Sequence, residues 1–145
     1  MADISLTASA VVPSSAAVIR KATAGATITA GQLLYLDTAD LDAQGIGKAK
    51  LSDANGAAAL RVVDGIAVNG ASAGQPVEYV TYDPALAVAA SDLTANQVWI
   101  SSATPGGIAP VADLTTGWYL TAIAVVKSAT TIFFRAPGLV SGVAS

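Results

Sequence analysis

The chain has 145 residues, the length of one ordinary domain, of which 53% are hydrophobic and 12% are charged. Its formal net charge is −3 and its seven basic residues are scattered, unlike the concentrated basic face of a nucleic-acid-binding protein. It has no His and no Cys, so disulfides, thiolate chemistry and a His-dependent catalytic triad are excluded.

The first fourteen residues, MADISLTASAVVPS, are small and almost uncharged, and Pro13 interrupts any regular element there. We therefore expect residues 1–14 to form an N-terminal arm that is ordered only where something holds it. Residues 15–136 are expected to form a single β domain. Pro137-Gly138 is expected to stop the last strand and to begin a C-terminal tail over residues 137–145.

Short β-branched runs follow one another through the domain, with turn signals about every ten residues. The candidate strands are residues 15–23, 25–37, 48–52, 61–70, 75–83, 96–102, 107–112, 117–128 and 130–136. At most one short helix is expected, near residues 53–60 or 91–96. The pattern predicts a mainly β protein, a compact domain that resembles a β-barrel or a β-sandwich.

Several turns are expected between these runs. Residues 38–47 form an acidic, Gly-containing loop, and Asn69-Gly70 is a favoured hairpin pair. Asp64 with Gly65, and Asp83 with Pro84, are further turn signals.

One phrase occurs three times, and consists of Ala, then Gly or Asn, then Gln, then an apolar run. It reads AGQLLYL at 30–36, AGQPVEYV at 73–80 and ANQVWIS at 95–101. Gly and Asn tolerate the positive φ that a sharp reversal into a strand requires. We therefore predict three turns, at Gly31, Gly74 and Asn96. Each is followed by a Gln at a strand start, where its side chain can satisfy a backbone group: Gln32, Gln75 and Gln97.

A longer parallel relates residues 24–83 to residues 91–136. Each stretch begins with the phrase, continues through a hairpin and a strand containing Ile-Ala-Val, and ends in a strand with aromatic residues. The Ile-Ala-Val strands are Ile66–Val68 and Ile123–Val125. An internal duplication and a chance likeness among short Ala- and Val-rich strands both explain the parallel. Neither stretch alone is long enough to form a good core.

Complete patterns for catalysis, cofactors and metals are missing from the sequence. The letters GASAG at 70–74 fit GxSxG, but without His they cannot form a Ser-His-Asp triad, and there is no GxGxxG or GxxxxGK[ST]. Asp37, Asp40 and Asp42 share one loop but lack the spacing of an EF-hand, so we expect a solvated turn there. We therefore expect no enzyme activity, no catalytic residue, no cofactor and no metal.

The order of the turn glycines and apolar strands resembles the small capsid decoration proteins of tailed bacteriophages, also called cement or head-stabilising proteins. The resemblance covers roughly residues 23–82 and is carried by Gly25, Ile28, Ala30, Gly31, Val62–Ala67 and Ala71–Val80. Asp64 is inserted in the family's VVGIA pattern, and Gln75 stands where Glu is common.

This resemblance implies a non-enzymatic homotrimer on the outer surface of the phage head, at three-fold or quasi-three-fold positions. Its partners would be the major capsid protein and its own copies, with neither nucleic acid nor membrane, after synthesis in the host cytoplasm. The arm would lie on the coat protein, where apolar residues could add a strand to a neighbouring sheet edge. The candidate capsid-binding residues are Ile4, Leu6, Val11 and Val12.

Two alternatives stay open. The first is another virion part, such as a tail or fibre-associated β domain. The second is a non-catalytic carbohydrate-binding module, which would need a row of exposed aromatic residues. Tyr79 and Tyr82 are three residues apart and so lie on opposite faces of a regular strand, which counts against this alternative.

Overall fold

The computed structural model describes residues 3–143, and for residues 137–143 only the course of the backbone. Residues 1–2 of the expected arm and 144–145 of the expected tail lie outside the described residues. The fold is mainly β, with 47% strand and 7% helix, and its antiparallel sheet curls into a half-barrel. The predicted fold class is confirmed.

The strands found in the described chain are β1 (Val18–Thr23), β2 (Leu33–Leu41), β3 (Gly47–Leu51), β4 (Gly65–Ala67), β5 (Pro76–Ala87), β6 (Val98–Ser101), β7 (Ile108–Pro110), β8 (Tyr119–Val126) and β9 (Thr131–Val143). Short 3-10 helices lie at Ala8–Ala10, Ala58–Arg61 and Val111–Asp113. The helix expected near residues 53–60 is therefore one 3-10 turn, and residues 91–96 form none.

The strands form one antiparallel sheet in the order β3-β2-β4-β5-β9-β8-β6-β7, with β1 paired to β5 outside this path. Read inward from either edge, the order has the same pattern: β3-β2-β4-β5 from one edge and β7-β6-β8-β9 from the other. β2, β3, β4 and β5 of the first half correspond in chain order and in neighbours to β6, β7, β8 and β9 of the second. A 3-10 helix follows β3 and another follows β7. This is the arrangement that an internal duplication predicts.

Hydrogen bonds fix which residues of the two halves correspond. The Ala67 N–H donates to the Gln32 carbonyl at 2.9 Å, and the Val126 N–H donates to the Gln97 carbonyl at 2.9 Å. Ala67 thus corresponds to Val126, and Ile66 to Val125. The sequence parallel, which matched Ile66 to Ile123 on the letters Ile-Ala-Val, is two residues out of register.

Two apolar cores lie on opposite faces of the first half. Leu33, Ile66 and Val80 are successive cross-strand partners and belong to the larger core. On the other face, Leu34 and Tyr79 belong to the smaller core, together with residues of β1 and β3. The first half is therefore covered on both faces.

The second half contributes the opposite face to the larger core. Trp99, Ala124 and Phe134 are cross-strand neighbours that belong to it. Trp99 corresponds to Leu34, which lies in the smaller core, so the two halves face the larger core with opposite sides of the sheet. The sheet is therefore rolled: the side of the second half that carries Trp99 covers the side of the first half that faces away from Leu34.

Three turns are not found at the positions that the sequence predicts. β2 continues through Leu41 into the expected acidic loop. The chain between β4 and β5 turns at 72–75 and not at Asn69-Gly70, where the Asn69 side chain accepts a hydrogen bond from the Glu78 N–H at 2.6 Å. β5 continues through Asp83-Pro84, where the pairing with β9 is irregular.

The last strand does not stop at Pro137-Gly138. β9 runs on to Val143, and five residue steps along it, from Phe134 to Leu139, face two steps along β8. This bulge contains Pro137, whose missing N–H is tolerated where ladder pairing is interrupted. The strand end that the sequence predicts at this proline is therefore wrong.

Candidate binding surfaces

The repeated phrase forms the predicted turns. Positive φ angles are found at its Gly or Asn positions: Gly31 at 93°, Gly74 at 90° and Asn96 at 67°. In each turn the Gln N–H donates to the carbonyl three residues earlier: Gln32 to Thr29 at 3.1 Å, Gln75 to Ser72 at 3.0 Å and Gln97 to Thr94 at 3.1 Å. Positive φ at the third residue and this hydrogen bond are typical of a type II turn.

The Gln side chains cap two of these turns as expected. The Gln32 Oε1 accepts from the Thr29 N–H at 2.8 Å, and the Gln75 Oε1 accepts from the Ser72 N–H at 2.8 Å. Gln97 instead accepts from the Trp99 Nε1–H at 2.9 Å. A fully buried indole needs an acceptor, and this one supplies it.

Two further turns have the same geometry. Gly106 and Gly117 have φ angles of 75° and 95°. The Gly107 N–H donates to Thr104 at 2.8 Å, and the Trp118 N–H donates to Thr115 at 3.0 Å. A Ser or Thr at the first position and Gly or Asn at the third is the signal shared by all these turns, whereas the prediction relied on the Gln.

The sequence predicts a turn at Asp64-Gly65, but Gly65 is instead the first residue of β4. A Cβ atom there would lie 2.5 Å from the Tyr79 ring and 2.7 Å from the Val80 carbonyl oxygen. Glycine is required because β5 lies this close. Asp64, its expected turn partner, accepts a hydrogen bond from the Leu36 N–H at 2.8 Å.

The N-terminal segment, residues 3–12, is held by its own domain. Ile4 and Val11 are buried in the larger core, Leu6 packs against it, and Val12 is 53% exposed. The Ile4 N–H donates to the Ile108 carbonyl at 2.7 Å. In this position, Ile4 and Val11 are not available to a partner.

A buried carboxylate anchors the end of this segment. Asp83 is 0% exposed and accepts hydrogen bonds from the N–H of Ser14 at 2.7 Å, from its hydroxyl group, and from the Ala85 N–H at 2.9 Å. The residue expected to make a turn with Pro84 thus ties the N-terminal segment to β5.

A cleft of about 370 Å³ lies between the N-terminal segment and two of the turns. It is lined by residues 3–6, 29–32 and 104–108. Asp3 is the ionisable side chain of this lining, and its Oδ2 accepts from the Ser102 hydroxyl at 2.8 Å. The lining offers no nucleophile paired with a base, so the cleft supports no reaction of the Ser-His-Asp kind.

An apolar row, here called the outer stripe, crosses the exposed face of the sheet. Its residues are Val98, Val125, Phe133, Tyr82 and Val18, neighbours on five strands. The rings of Tyr82 and Phe133 meet edge-to-face with centroids 5.6 Å apart. Val125, Tyr82 and Val18 are 38%, 37% and 43% exposed. Antiparallel sheets usually have polar residues on a solvated face, so this row is unusual.

A second exposed apolar site lies at the end of the β2–β3 hairpin and is here called the hairpin tip. Leu41 and Ile46 are 51% and 49% exposed, and Asp42 lies between them in the chain. The Asp42 Oδ1 accepts from the Ile46 and Gln44 N–H groups at 3.0 and 2.9 Å. These hydrogen bonds lower the pKa of Asp42, so its charge is retained near neutral pH.

Ion pairs stiffen the base of this hairpin. Lys50 contacts Asp37 at 2.8 Å and Asp40 at 3.1 Å, and Lys48 contacts Asp40 at 3.2 Å. Hydrogen bonds from Lys50 hold the pKa of both Asp carboxyls below the ordinary value of 3.8, and the Asp residues raise the pKa of Lys50. The aspartates act as structural ion-pair partners.

No protein-family model matches the chain, and a search of curated proteins finds no match. Within residues 3–143, no group of three or more acidic, Cys or His residues is placed to hold a metal ion. None of the helices in this described part is long and apolar enough to cross a membrane. The family resemblance therefore rests on the sequence motif.

Proposed function

We propose that this protein is a capsid decoration protein of a tailed bacteriophage. It binds the outer surface of the expanded head as a homotrimer and stabilises contacts between subunits of the major capsid protein. The observation that carries the proposal is the amount of exposed apolar surface, the outer stripe and the hairpin tip, on a chain with only 12% charged residues.

The residue inventory supports a role based on binding. The chain lacks His and Cys, and the cleft beside the N-terminal segment has Asp3 as its ionisable group. A protein that binds the expanded shell more tightly than its precursor stabilises the shell by mass action. Several copies linked in a ring gain further affinity, because each contact raises the effective concentration for the next.

The structure changes how the arm can contribute to this function. Ile4 and Val11 belong to the domain's own core, which leaves Val12 as the exposed apolar residue among the four candidates. In the docked state, the segment therefore presents Val12 and its exposed polar residues to the coat protein. Contact through Ile4 or Val11 requires the segment to detach from the domain.

The test is co-sedimentation of the purified chain with expanded, undecorated heads assembled from the coat protein of the same phage. We expect saturable binding, with density at three-fold positions in cryo-electron microscopy. Unexpanded heads provide the control and are expected to bind less. If expanded heads bind none of the protein and phage tails do, the tail-associated alternative replaces this proposal.

A further inference from the structure

We propose that copies of this protein associate through a heterologous contact in which the hairpin tip of one copy packs on the outer stripe of the next. This inference rests on the proposed homotrimer and names its contact surfaces. A heterologous contact joins two different patches and forms either a closed ring or an open filament. A homotrimer requires the closed ring.

The two halves of the molecule show that the face bearing the outer stripe is one the fold otherwise buries. Leu33 and Ile66 of the first half are 0% exposed beneath the second half. Their counterparts by register, Val98 and Val125, remain apolar, yet Val125 is 38% exposed. A contiguous row of exposed apolar side chains favours an additional layer of protein over solvent.

The hairpin tip has the shape and chemistry to provide that cover. Leu41 and Ile46 project from the end of a two-stranded ribbon at the edge of the sheet, separated from β5 by β4. The tip is thus a patch distinct from the outer stripe, as a heterologous contact requires. Burying the exposed parts of Leu41 and Ile46 against apolar side chains is favourable.

Charge also favours this pairing. Arg135 lies opposite Tyr82 at the outer stripe and is exposed, and Lys127 lies two residues beyond Val125. Among the described residues, neither cation has an ion-pair partner within 4.0 Å. The hairpin tip carries Asp42. Stripe-to-stripe packing about a two-fold axis would bring like charges together, whereas tip-to-stripe packing brings opposite charges together.

The experiment measures self-association of the full chain in solution by sedimentation velocity, up to about 1 mM protein. Leu41→Ser damages the tip and Val125→Glu damages the stripe. We expect each to weaken association roughly tenfold or more, because each removes an apolar contact. Val111→Ser, at an apolar residue 41% exposed outside both patches, is the matched control and is expected to leave association unchanged.

Mixing the two damaged variants gives the decisive result. The stripe variant retains an intact tip, and the tip variant retains an intact stripe, so the mixture is expected to form heterodimers through one intact contact. Neither variant forms them alone, and a ring cannot close. An isologous interface would show no such rescue. Arg135→Glu is a second stripe variant if Val125→Glu fails to fold by circular dichroism.

The inference is overturned if the wild-type chain stays monomeric over this range. It is also overturned if either variant associates like the wild type, or if the mixture forms no heterodimer. Head binding is measured separately by co-sedimentation with each variant. Self-association without head binding would overturn the proposed function alone, and head binding without tip-to-stripe association would overturn this inference alone.

Discussion

The two halves of the sheet share one order of strands but differ in what covers them. In the first half, Ile66 and Tyr79 lie on opposite faces and both are buried. In the second half, Phe134 is fully buried while its neighbour Phe133 faces outward at the outer stripe. One topology thus gives a layer buried on both faces and a layer with an apolar face at the surface.

The two halves also protect their edges differently. Ala49 of β3 and Ile108 of β7 are corresponding residues on the two edge strands. Ala49 accepts from the Gly25 N–H at 2.7 Å, and Ile108 accepts from the Ile4 N–H at 2.7 Å. The N-terminal segment therefore covers the edge strand of the second half, as the chain after β1 covers the edge strand of the first half. Covered edges protect a sheet from pairing with other chains.

The largest effect is expected where the two faces of the second half are compared directly. Phe134→Ala removes a fully buried ring from the larger core and is expected to cost about 3–5 kcal/mol of unfolding free energy. Phe133→Ala, the adjacent residue on the outer stripe, is expected to cost less than about 1.5 kcal/mol. Urea denaturation of both variants measures the difference, and equal losses would contradict the assignment of faces.

The next effect concerns the N-terminal segment. Ile4→Ala is expected to destabilise the domain by about 2–4 kcal/mol, because it opens a cavity beside Ile108 in the larger core. Deletion of residues 2–14 is expected to cost more. Val12→Ala, at a residue 53% exposed, is the control and should change stability by less than about 0.5 kcal/mol. Thermal unfolding measures all three, and a deletion variant as stable as the wild type would show that the segment is dispensable for the fold.

Local backbone geometry was predictable from the sequence, whereas tertiary cover was not. Gly31, Gly74 and Asn96 could be assigned to turns because positive φ restricts the residue type at a single position. Leu33 and Val98 both open apolar strands after such turns, yet Leu33 is fully buried and Val98 only partly buried. Alternation shows which residues share a face, but it carries no information on what packs against that face.

The N-terminal segment and the prolines illustrate the same limit. Nothing in the sequence near Asp83 indicates that its carboxylate holds Ser14, a contact between residues far apart in the chain. The sequence predicts strand ends at Pro84 and Pro137, because proline disrupts a regular ladder. Each lies in a strand at a site of irregular pairing, which depends on the neighbouring strand.

A smaller effect is expected at the turns of the repeated phrase, which have Gly at positions 31 and 74 and Asn at position 96. Gly74 has a φ of 90° and open space around its Cβ position, so Gly74→Ala isolates the backbone cost, about 1–2 kcal/mol. Asn96→Gly keeps a residue suited to positive φ, and we expect it to stay within about 0.5 kcal/mol of the wild type. Chemical denaturation decides, and a neutral Gly74→Ala would contradict the turn assignment.

The smallest effect on stability is expected at the β2–β3 hairpin, which has ion pairs. Its counterpart, the β6–β7 hairpin, has no charged residue between Val98 and Pro110. Because Lys50 lowers the pKa of Asp37 and Asp40 below 3.8, their contribution is present above that value and is lost as the pH falls through the lowered pKa values. Lys50→Met removes this contribution. We therefore expect the variant to melt slightly below the wild type at about pH 7, because exposed ion pairs contribute little to stability. The difference is expected to vanish near pH 2, where the carboxylates are protonated. A difference that persists unchanged at pH 2 would mean that Lys50 stabilises the hairpin by packing and not through charge. Its alkyl chain lies over Gly25, where its Cε is 3.0 Å from the point that a Cβ atom would occupy.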